Sequence, residues 1–125
     1  MTKQQQLDSR IIDVIRDRGF SELSVVQEQA IPKILNGDHL LLIAPTGTGK
    51  TESAMIPVLS GMLKGTGSGF TTLYITPLRA LNRDILRRME WWCQNLGLTS
   101  GVRHGDTSQA ERRKQVLHPP DLLIT

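Results

Sequence analysis

Cysteine and aromatic residues are scarce in this 125-residue chain, and each scarcity limits what the protein can be. A single cysteine, Cys93, excludes an intramolecular disulfide framework and is typical of a reducing compartment. Two tryptophans, two phenylalanines and one tyrosine leave a core that must be mostly aliphatic. The three histidines, His39, His104 and His118, lack the spacing of metal ligands. We therefore expect neither a disulfide-rich fold nor a histidine metal site.

Long apolar runs are also lacking. Residues 1–6 are polar, and no apolar stretch approaches the roughly 20 residues of a membrane helix. We expect no signal peptide, no membrane partner and a soluble, cytoplasmic protein. With 38% hydrophobic and 22% charged residues, the chain fits one globular domain spanning 1–125. The net charge of +3 is compatible with nucleic acid, but basic groups such as Arg112 and Arg113 are equally expected on solvated helix faces.

The most informative stretch is Ala44-Pro45-Thr46-Gly47-Thr48-Gly49-Lys50-Thr51, which follows the apolar run Leu40-Leu41-Leu42-Ile43. A strand that ends in a glycine-rich loop and then opens a helix directs backbone N–H groups and the positive end of the helix dipole at one point, which suits a di- or triphosphate. In this pattern Lys50 reaches the β- and γ-phosphates and the Thr51 hydroxyl ligates Mg²⁺. Ala44 departs from the strict P-loop signature. A glycine-rich turn without a ligand is the competing interpretation, and the flanking strand and helix patterns disfavour it.

Apolar periodicity predicts that helices and strands alternate along the chain. Helices are expected before Gly19, from the Ser24–Gln27 capping box to Leu35, after the glycine-rich loop, and at about 80–95 and 109–117. Strands are expected at 39–44, 71–76, 101–104 and 121–125, and the glycine-rich residues 64–69 at a mobile surface loop. This alternation indicates an α/β layered fold with a mostly parallel sheet. Ligands of such sheets sit at the carboxyl ends of the strands, so residues 45–50, 77–81 and 105–108 should share one edge.

With these motifs placed, the chain resembles the first RecA-like domain of superfamily 2 helicases over nearly its whole length. Residues 44–51 look like helicase motif I, including the alanine, and Pro77-Leu78-Arg79-Ala80-Leu81 looks like motif Ia. Leu123-Ile124-Thr125 looks like the strand that enters motif Ib. The resemblance implies a three-layer RecA-like P-loop NTPase fold, incomplete at its C-terminus, and a parent protein that is an ATP-dependent helicase.

Three short segments bear on the subfamily. Thr51-Glu52, the motif Ia variant and Gly105-Asp106-Thr107-Ser108 look most like the large helicase-related group, with Ski-type helicases as the nearest competitor. A DEAD-box RNA helicase more usually has Pro-Thr-Arg-Glu-Leu at motif Ia, and it stays open as an alternative.

The resemblance also implies the ligands of motif I and their residues. ATP and Mg²⁺ would be the cofactors, with Lys50 as the catalytic residue and Thr51 holding the metal through the bound nucleotide. The remaining nucleotide contacts would come from Pro45, Thr46, Gly47, Thr48, Gly49 and Glu52. Phe20 and Gln27 resemble the Q motif, whose glutamine hydrogen-bonds adenine, although the capping box alone would also explain Gln27. Arg10 stands near the position where DEAD-box proteins carry an aromatic residue that stacks on the base.

Nucleic acid would be gripped at two further segments. Motif Ia, with Pro77, Leu78, Arg79 and Ala80, can hold the backbone of a strand through N–H groups at a helix start without reading bases. Gly105, Asp106 and Thr107 occupy the place of a second backbone-contacting turn. The partner would be single-stranded or duplex DNA or RNA. An exposed helix position is the competing interpretation of Arg79.

Phosphoryl transfer to water also needs a Mg²⁺-holding Asp, a residue that positions the water and usually an arginine finger. Superfamily 2 helicases supply the first two from an Asp-Glu box, motif II, and no Asp-Glu pair occurs in this sequence. We therefore expect a fragment that stops before motif II, is inactive alone, and works with a second RecA-like domain in its parent. A standalone nucleotide-responsive module that binds single strands and a different P-loop enzyme, such as a small-molecule kinase, are the alternatives.

The expected sheet lacks the motif II strand that normally lies beside the motif I strand. Because an unpaired strand edge recruits other strands, we predict that the chain self-associates through this edge. Sedimentation over a range of concentrations should show a rising average mass. A strictly monomeric sample that unfolds cooperatively would contradict this prediction.

Overall fold

The computed structural model describes residues 7–19, 22–65, 71–77 and 83–125. The elements are α1 (Ser9–Asp17), α2 (Val25–Leu35), α3 (Lys50–Lys64), β1 (Thr72–Tyr74), α4 (Arg83–Leu96), β2 (Ser100–Val102), α5 (Gln109–Leu117) and β3 (Leu122–Ile124). Helices and strands alternate from α3 onward, as the sequence predicted, whereas α1, α2 and α3 follow one another with no strand in the described residues between them. The chain forms two compact units, Met1–Gly65 and Thr66–Thr125.

Helix α1 begins and ends where its sequence directs. The carboxylate of Asp8 caps the helix by accepting the backbone N–H of Arg10 at 2.9 Å, and Gly19 follows the last turn with a φ of 85° that favours glycine. Ile11 and Val14 bury one face of the helix. The backbone N–H of Asp8 donates to the Ser60 hydroxyl at 2.8 Å, which fixes the start of α1 on α3.

Helices α2 and α3 are the two longest helices of the first unit. The predicted capping box is present, because Ser24 and Gln27 exchange their side-chain and backbone bonds at the start of α2. Asn36 and Gly37 end this helix, as predicted, and Gly37 has a φ of 85°. A proline lies inside each helix without ending it. The core of the unit is aliphatic, made of Ile11, Val14, Ala30, Ile31, Met55, Ile56 and Leu59.

The second unit contains a three-stranded parallel sheet in the order β1-β3-β2. Leu122 lies in register with Thr72 on one side and with Ser100 on the other. Leu122 and Ile124 are 0% and 1% exposed, so the central strand is the buried one. The parallel sheet confirms the predicted fold class. Since β1 and β2 run in the same direction, their carboxyl ends open at the same edge of this sheet.

Helix α4 supplies the rest of the core of the second unit through Met89, Trp92, Cys93 and Leu96. Burial raises the pKa of the Cys93 thiol to about 11, with further contributions from the nearby charges of Asp121 and Glu90. A thiol with this pKa is protonated at neutral pH and is a poor nucleophile. In the described part of the chain, no helix has the length and apolar character needed to span a bilayer.

The buried strand predicted at 39–44 is wrong. These residues form no strand, and Leu41 and Ile43 are 82% and 84% exposed. An apolar run becomes a strand only when a neighbouring strand completes its hydrogen-bond ladder and other elements cover its faces. Within the described residues, the segment obtains neither. Composition alone identified the run as apolar but could not supply its partner.

Some predicted features lie outside the described residues. These are Phe20, residues 66–70 of the glycine-rich loop, and residues 78–82, which include Leu78, Arg79 and Ala80 of motif Ia. The predicted roles of these residues stay predictions.

Asp8 provides a test of how α1 is anchored. Hydrogen bonds from the Arg10 guanidinium and backbone N–H lower the pKa of Asp8 from its usual 3.8. The stabilisation is therefore complete above pH 3.8 and is lost as the pH falls through the lower folded value. We predict that Asp8→Ala lowers the free energy of unfolding by about 1 kcal/mol at pH 7 and that this difference shrinks in acid.

Urea unfolding at pH 7 and below pH 3.8 measures both effects. Asp13→Ala is the matched control, because that side chain is 67% exposed on the same helix and its ion pair with Arg16 is long, at 3.8 Å. Equal effects of the two substitutions would refute the anchoring role of Asp8.

Candidate functional site

Residues 45–49 form a tight loop directly before α3. Gly47 and Gly49 both have a φ of 80°, a left-handed conformation that glycine adopts at little cost. Gly49 is the N-cap of α3 and makes no side-chain capping bond. The first N–H groups of a helix have no partner within it, so those of Lys50 and Thr51 at the start of α3 are available to a ligand. The loop that the sequence predicted is therefore formed with an open helix N-terminus.

Two carbonyl groups of this loop accept hydrogen bonds from side chains at the start of α2. The Ser24 hydroxyl donates to the carbonyl oxygen of Thr48 at 2.9 Å, and the Gln27 side-chain nitrogen donates to that of Gly49 at 3.3 Å. Within the loop, the Thr48 hydroxyl donates to the carbonyl oxygen of Pro45 at 2.7 Å. In a trans peptide group the N–H points away from the C=O. Holding the Thr48 carbonyl therefore directs the Gly49 N–H to the opposite side of the loop.

Gln27 serves the capping box and the loop at the same time. Its side-chain oxygen accepts the backbone N–H of Ser24 at 3.0 Å while its nitrogen donates to Gly49. A primary amide has two N–H donors and an oxygen with two lone pairs. One donor and one lone pair therefore stay available for a planar ligand such as a base. The capping interpretation of Gln27 is confirmed, and the adenine contact stays a prediction.

Lys50 lies at the first position of α3 and bends back over the loop. Its ammonium group donates to the carbonyl oxygen of Ala44 at 2.6 Å, which places a positive charge at the loop. Glu52, two positions along, is buried at 8% exposure in the first turn, where the helix dipole favours a negative charge. Thr51 stands between them at the second helical position.

These residues fit a bound polyphosphate. Open N–H groups, the positive end of a 15-residue helix and a lysine ammonium group are concentrated at one point. Mg²⁺ fits as well, because the Thr51 hydroxyl is an oxygen ligand and Mg²⁺ commonly binds through a few protein oxygens together with substrate phosphates. The described ranges hold no cluster of three acidic, histidine or cysteine side chains arranged to bind a metal by themselves.

Arg10 is directed away from this loop. Its guanidinium binds Asp8 and donates to the carbonyl oxygen of Leu63 at 2.9 Å, near the far end of α3. Leu63 lies 13 positions beyond Lys50, a rise of about 20 Å along the helix. Arg10 therefore cannot stack on a base whose phosphates sit at the loop. It anchors α1 instead.

The second predicted site is a compact turn after β2, at residues 104–108. The backbone N–H of His104 donates to the Thr107 hydroxyl oxygen at 2.9 Å, and the N–H of Asp106 donates to the His104 ring at 3.1 Å. Arg112 holds the turn from α5 by donating to the carbonyl oxygens of His104 at 2.7 Å and Thr107 at 3.1 Å. Because the Thr107 oxygen accepts a bond, its own proton is left for an external acceptor such as a phosphate.

A shallow cleft of about 580 Å³ adjoins this turn, and it does not itself suit a phosphate. Three carboxylate side chains, Glu90, Asp106 and Glu111, are among the residues that line it. Their negative charges disfavour a phosphate inside the cleft itself.

Sequence reasoning missed the side chains that hold the loop at residues 45–49 and the turn at residues 104–108. Ser24 was recognised as a helix cap but not as a donor to the phosphate loop. For Arg112 the sequence left a solvated helix face and a nucleic-acid contact equally open, whereas its guanidinium holds the turn, and Arg103 donates to Gln115 at 2.9 Å beside it. No local pattern signals such contacts, because they depend on which side chains the tertiary fold brings together.

The alternating α/β fold and the glycine-rich loop before α3 define a P-loop nucleotide-binding domain. The family model described as "DEAD/DEAH box helicase" matches residues 24–125. The chain therefore belongs to the DEAD/DEAH box helicase family. This membership confirms the predicted superfamily 2 helicase domain and its RecA-like fold.

Individual relatives come from both groups that the sequence left open. The chain is 39% identical over 89 residues to "Probable ATP-dependent RNA helicase DDX52" of Bos taurus, covering 71% of this chain and 15% of the relative. It is 31% identical over 147 aligned positions to "ATP-dependent helicase Lhr-Core protein 2" of Thermococcus barophilus, covering 98% of this chain and 17% of the relative. The solved Mycobacterium smegmatis helicase Lhr, bound to ssDNA and AMP-PNP, matches all of this chain at 28% identity and a TM-score of 0.86, over 17% of its own length.

The resemblance to Lhr helicases is thus confirmed in sequence and structure. The chain spans less than a fifth of the length of these relatives, at 15% and 17%. The relatives are named ATP-dependent helicases, which implies that this domain binds nucleotide.

The two loop glycines provide a matched pair of substitutions. A side chain at either position meets the left-handed strain of about 1–2 kcal/mol. A Cβ at Gly49 would also lie 2.5 Å from the Gln27 side-chain nitrogen, whereas a Cβ at Gly47 would meet nothing within 4 Å. Gln27 could move aside only by giving up its bond to Gly49. We predict that Gly49→Ala destabilises the chain by about 1 kcal/mol more than Gly47→Ala.

Urea unfolding of the two variants measures the difference. The same loss of stability in both would show that the contact between Gln27 and the loop carries no energy.

Proposed function

We propose that this chain is the nucleotide-binding part of an ATP-dependent helicase and that residues 45–51 bind the phosphates of ATP. The observation that carries the proposal is the loop itself. Its carbonyls are held by Ser24 and Gln27 on one side, and the open N-terminus of α3 and the Lys50 ammonium group provide positive charge. Such a loop is organised to receive an anion before the anion arrives, so binding costs little ordering.

Lys50 would exchange one acceptor for another on binding. Its ammonium group leaves the Ala44 carbonyl and donates to the β- and γ-phosphate oxygens, which are charged and therefore stronger acceptors. The Thr51 hydroxyl, with the phosphates, would hold Mg²⁺, which neutralises charge that develops on the phosphates. Pro45, Thr46, Gly47, Thr48 and Glu52 complete the proposed contact region.

The base would be recognised by Gln27 and, outside the described residues, by Phe20. The free donor and lone pair of the Gln27 amide match the donor and acceptor that adenine presents at N6 and N7. Guanine presents two acceptors there, at O6 and N7, so the same amide would discriminate against it.

A nucleic-acid strand would contact the turn at Gly105, Asp106 and Thr107, together with Pro77, Leu78, Arg79 and Ala80 of motif Ia. Support comes from the solved relatives, among them helicase Lhr bound to ssDNA and helicase MrfA bound to DNA. The Thr107 proton and the N–H groups at the start of α5 would donate to phosphates without reading bases. Both DNA and RNA fit this mode of contact.

In the parent protein, a second RecA-like domain would close on this one over ATP and the strand. Hydrolysis needs acidic and arginine groups beyond those that motif I supplies. We therefore expect the 125-residue chain to bind nucleotide but to hydrolyse it negligibly.

Lys50→Ala tests the proposal directly. Losing a charged hydrogen bond to phosphate should weaken Mg²⁺·ATP binding about tenfold to a hundredfold in isothermal titration. Lys33→Ala is the matched control, because it removes an exposed lysine from α2 and should leave affinity unchanged. Equal affinity of all three proteins for ATP would refute the phosphate site. Turnover that Lys50→Ala abolishes would refute the expected inactivity.

A further inference from the structure

Two serines on α3 are completely buried, at 0% exposure, and neither belongs to the contacts described for the nucleotide. A buried hydroxyl costs free energy unless it is hydrogen-bonded. The Ser60 hydroxyl accepts the backbone N–H of Asp8 at 2.8 Å, so it serves the anchoring of α1. The Ser53 hydroxyl donates to the carbonyl oxygen of Gly49 at 2.8 Å, so it serves the phosphate loop.

The Gly49 carbonyl is the most heavily bonded acceptor of the loop. It accepts the backbone N–H of Ser53 at 3.0 Å, the Ser53 hydroxyl at 2.8 Å and the Gln27 amide at 3.3 Å. Among the side-chain donors, the hydroxyl is the closer. A serine that bonds the carbonyl four residues earlier is common in helices. What sets Ser53 apart is that this carbonyl belongs to the N-cap of the phosphate-binding helix.

The peptide group that follows Gly49 contains the N–H of Lys50. The described residues contain no cis peptide bond, so this N–H points away from the Gly49 carbonyl. Donors that hold the carbonyl toward the helix therefore hold the Lys50 N–H outward, at the open helix N-terminus. A rotation of this peptide would turn a donor away from an approaching phosphate.

We propose that Ser53 is a positioning residue for nucleotide binding, which holds the Gly49–Lys50 peptide so that the Lys50 N–H faces the phosphates. This inference rests on the proposed phosphate site. Ser53 also shares the support of this carbonyl with Gln27, because the Ser53 hydroxyl and the Gln27 amide both donate to it.

Ser53→Ala and Ser60→Ala form a matched pair, because both remove one buried hydroxyl from α3. Isothermal titration with Mg²⁺·ADP should show affinity about threefold to tenfold lower for Ser53→Ala, the value of one hydrogen bond, and unchanged for Ser60→Ala. Urea unfolding should show that both variants lose stability. A purely structural role would lower stability without separating the two affinities, and equal ADP affinities would overturn the inference.

Hydrogen exchange supplies a readout that needs no nucleotide. In Ser53→Ala the backbone N–H at position 53, which donates to the Gly49 carbonyl, should exchange faster relative to the rest of α3, and in Ser60→Ala it should not. Unchanged exchange at this amide would also overturn the inference. If the unmodified chain fails to bind ADP, the proposed function is refuted, and hydrogen exchange still decides whether Ser53 orders the loop.

Combining Ser53→Ala with Gln27→Ala tests whether these two side chains share the role of holding the Gly49 carbonyl. Because either side chain can hold the Gly49 carbonyl, the double variant should lose more ADP affinity than the product of the two single losses. A loss of ADP affinity in the double variant equal to the product of the two single losses would contradict a shared role.

Discussion

The contact between the start of α2 and the phosphate loop is the constraint on which the nucleotide site depends. Ser24 and Gln27 cap α2 and at the same time donate to the carbonyls of Thr48 and Gly49. A glycine-rich loop would otherwise have many backbone conformations of similar energy. Holding its carbonyls from behind leaves its N–H groups directed at the ligand, so helix capping and phosphate recognition become one interaction.

This contact explains why Gly47 and Gly49 are needed for different reasons. Gly47 provides only the left-handed backbone, whereas Gly49 must also leave room for the Gln27 side chain that binds it. The α3 helix then does three things at once. Its N-terminus opens at the proposed phosphate site, its apolar residues bury the core of the first unit, and the carbonyl of Leu63 at its far end accepts a hydrogen bond from Arg10 of α1. The loop at residues 45–49 is thereby attached to a buried element.

The sequence predicted those features that local patterns encode. The capping box at Ser24, the glycine ends of α1 and α2, the open start of α3 and the parallel α/β alternation all follow from short-range rules. Prediction from the sequence failed where a segment depends on contacts with residues outside its own local pattern. The apolar run at 39–44 looked like a strand, but within the described residues it lacks the neighbour that a ladder needs, and Leu41 and Ile43 are exposed. The clamp from Arg112 to His104 and the bond from Ser53 to Gly49 likewise have no sequence signature that separates them from ordinary helix residues.

The most direct test of the account is a two-dimensional NMR titration of the ¹⁵N-labelled chain with Mg²⁺·ADP. The account predicts that the largest shifts fall on the backbone amides of residues 46–51 and on the side-chain amide of Gln27. The amides of α5 and of the turn at 104–108 should stay in place. Shifts that avoid the loop, or a spectrum that ADP does not change, would contradict the claim that this loop is organised to bind phosphate.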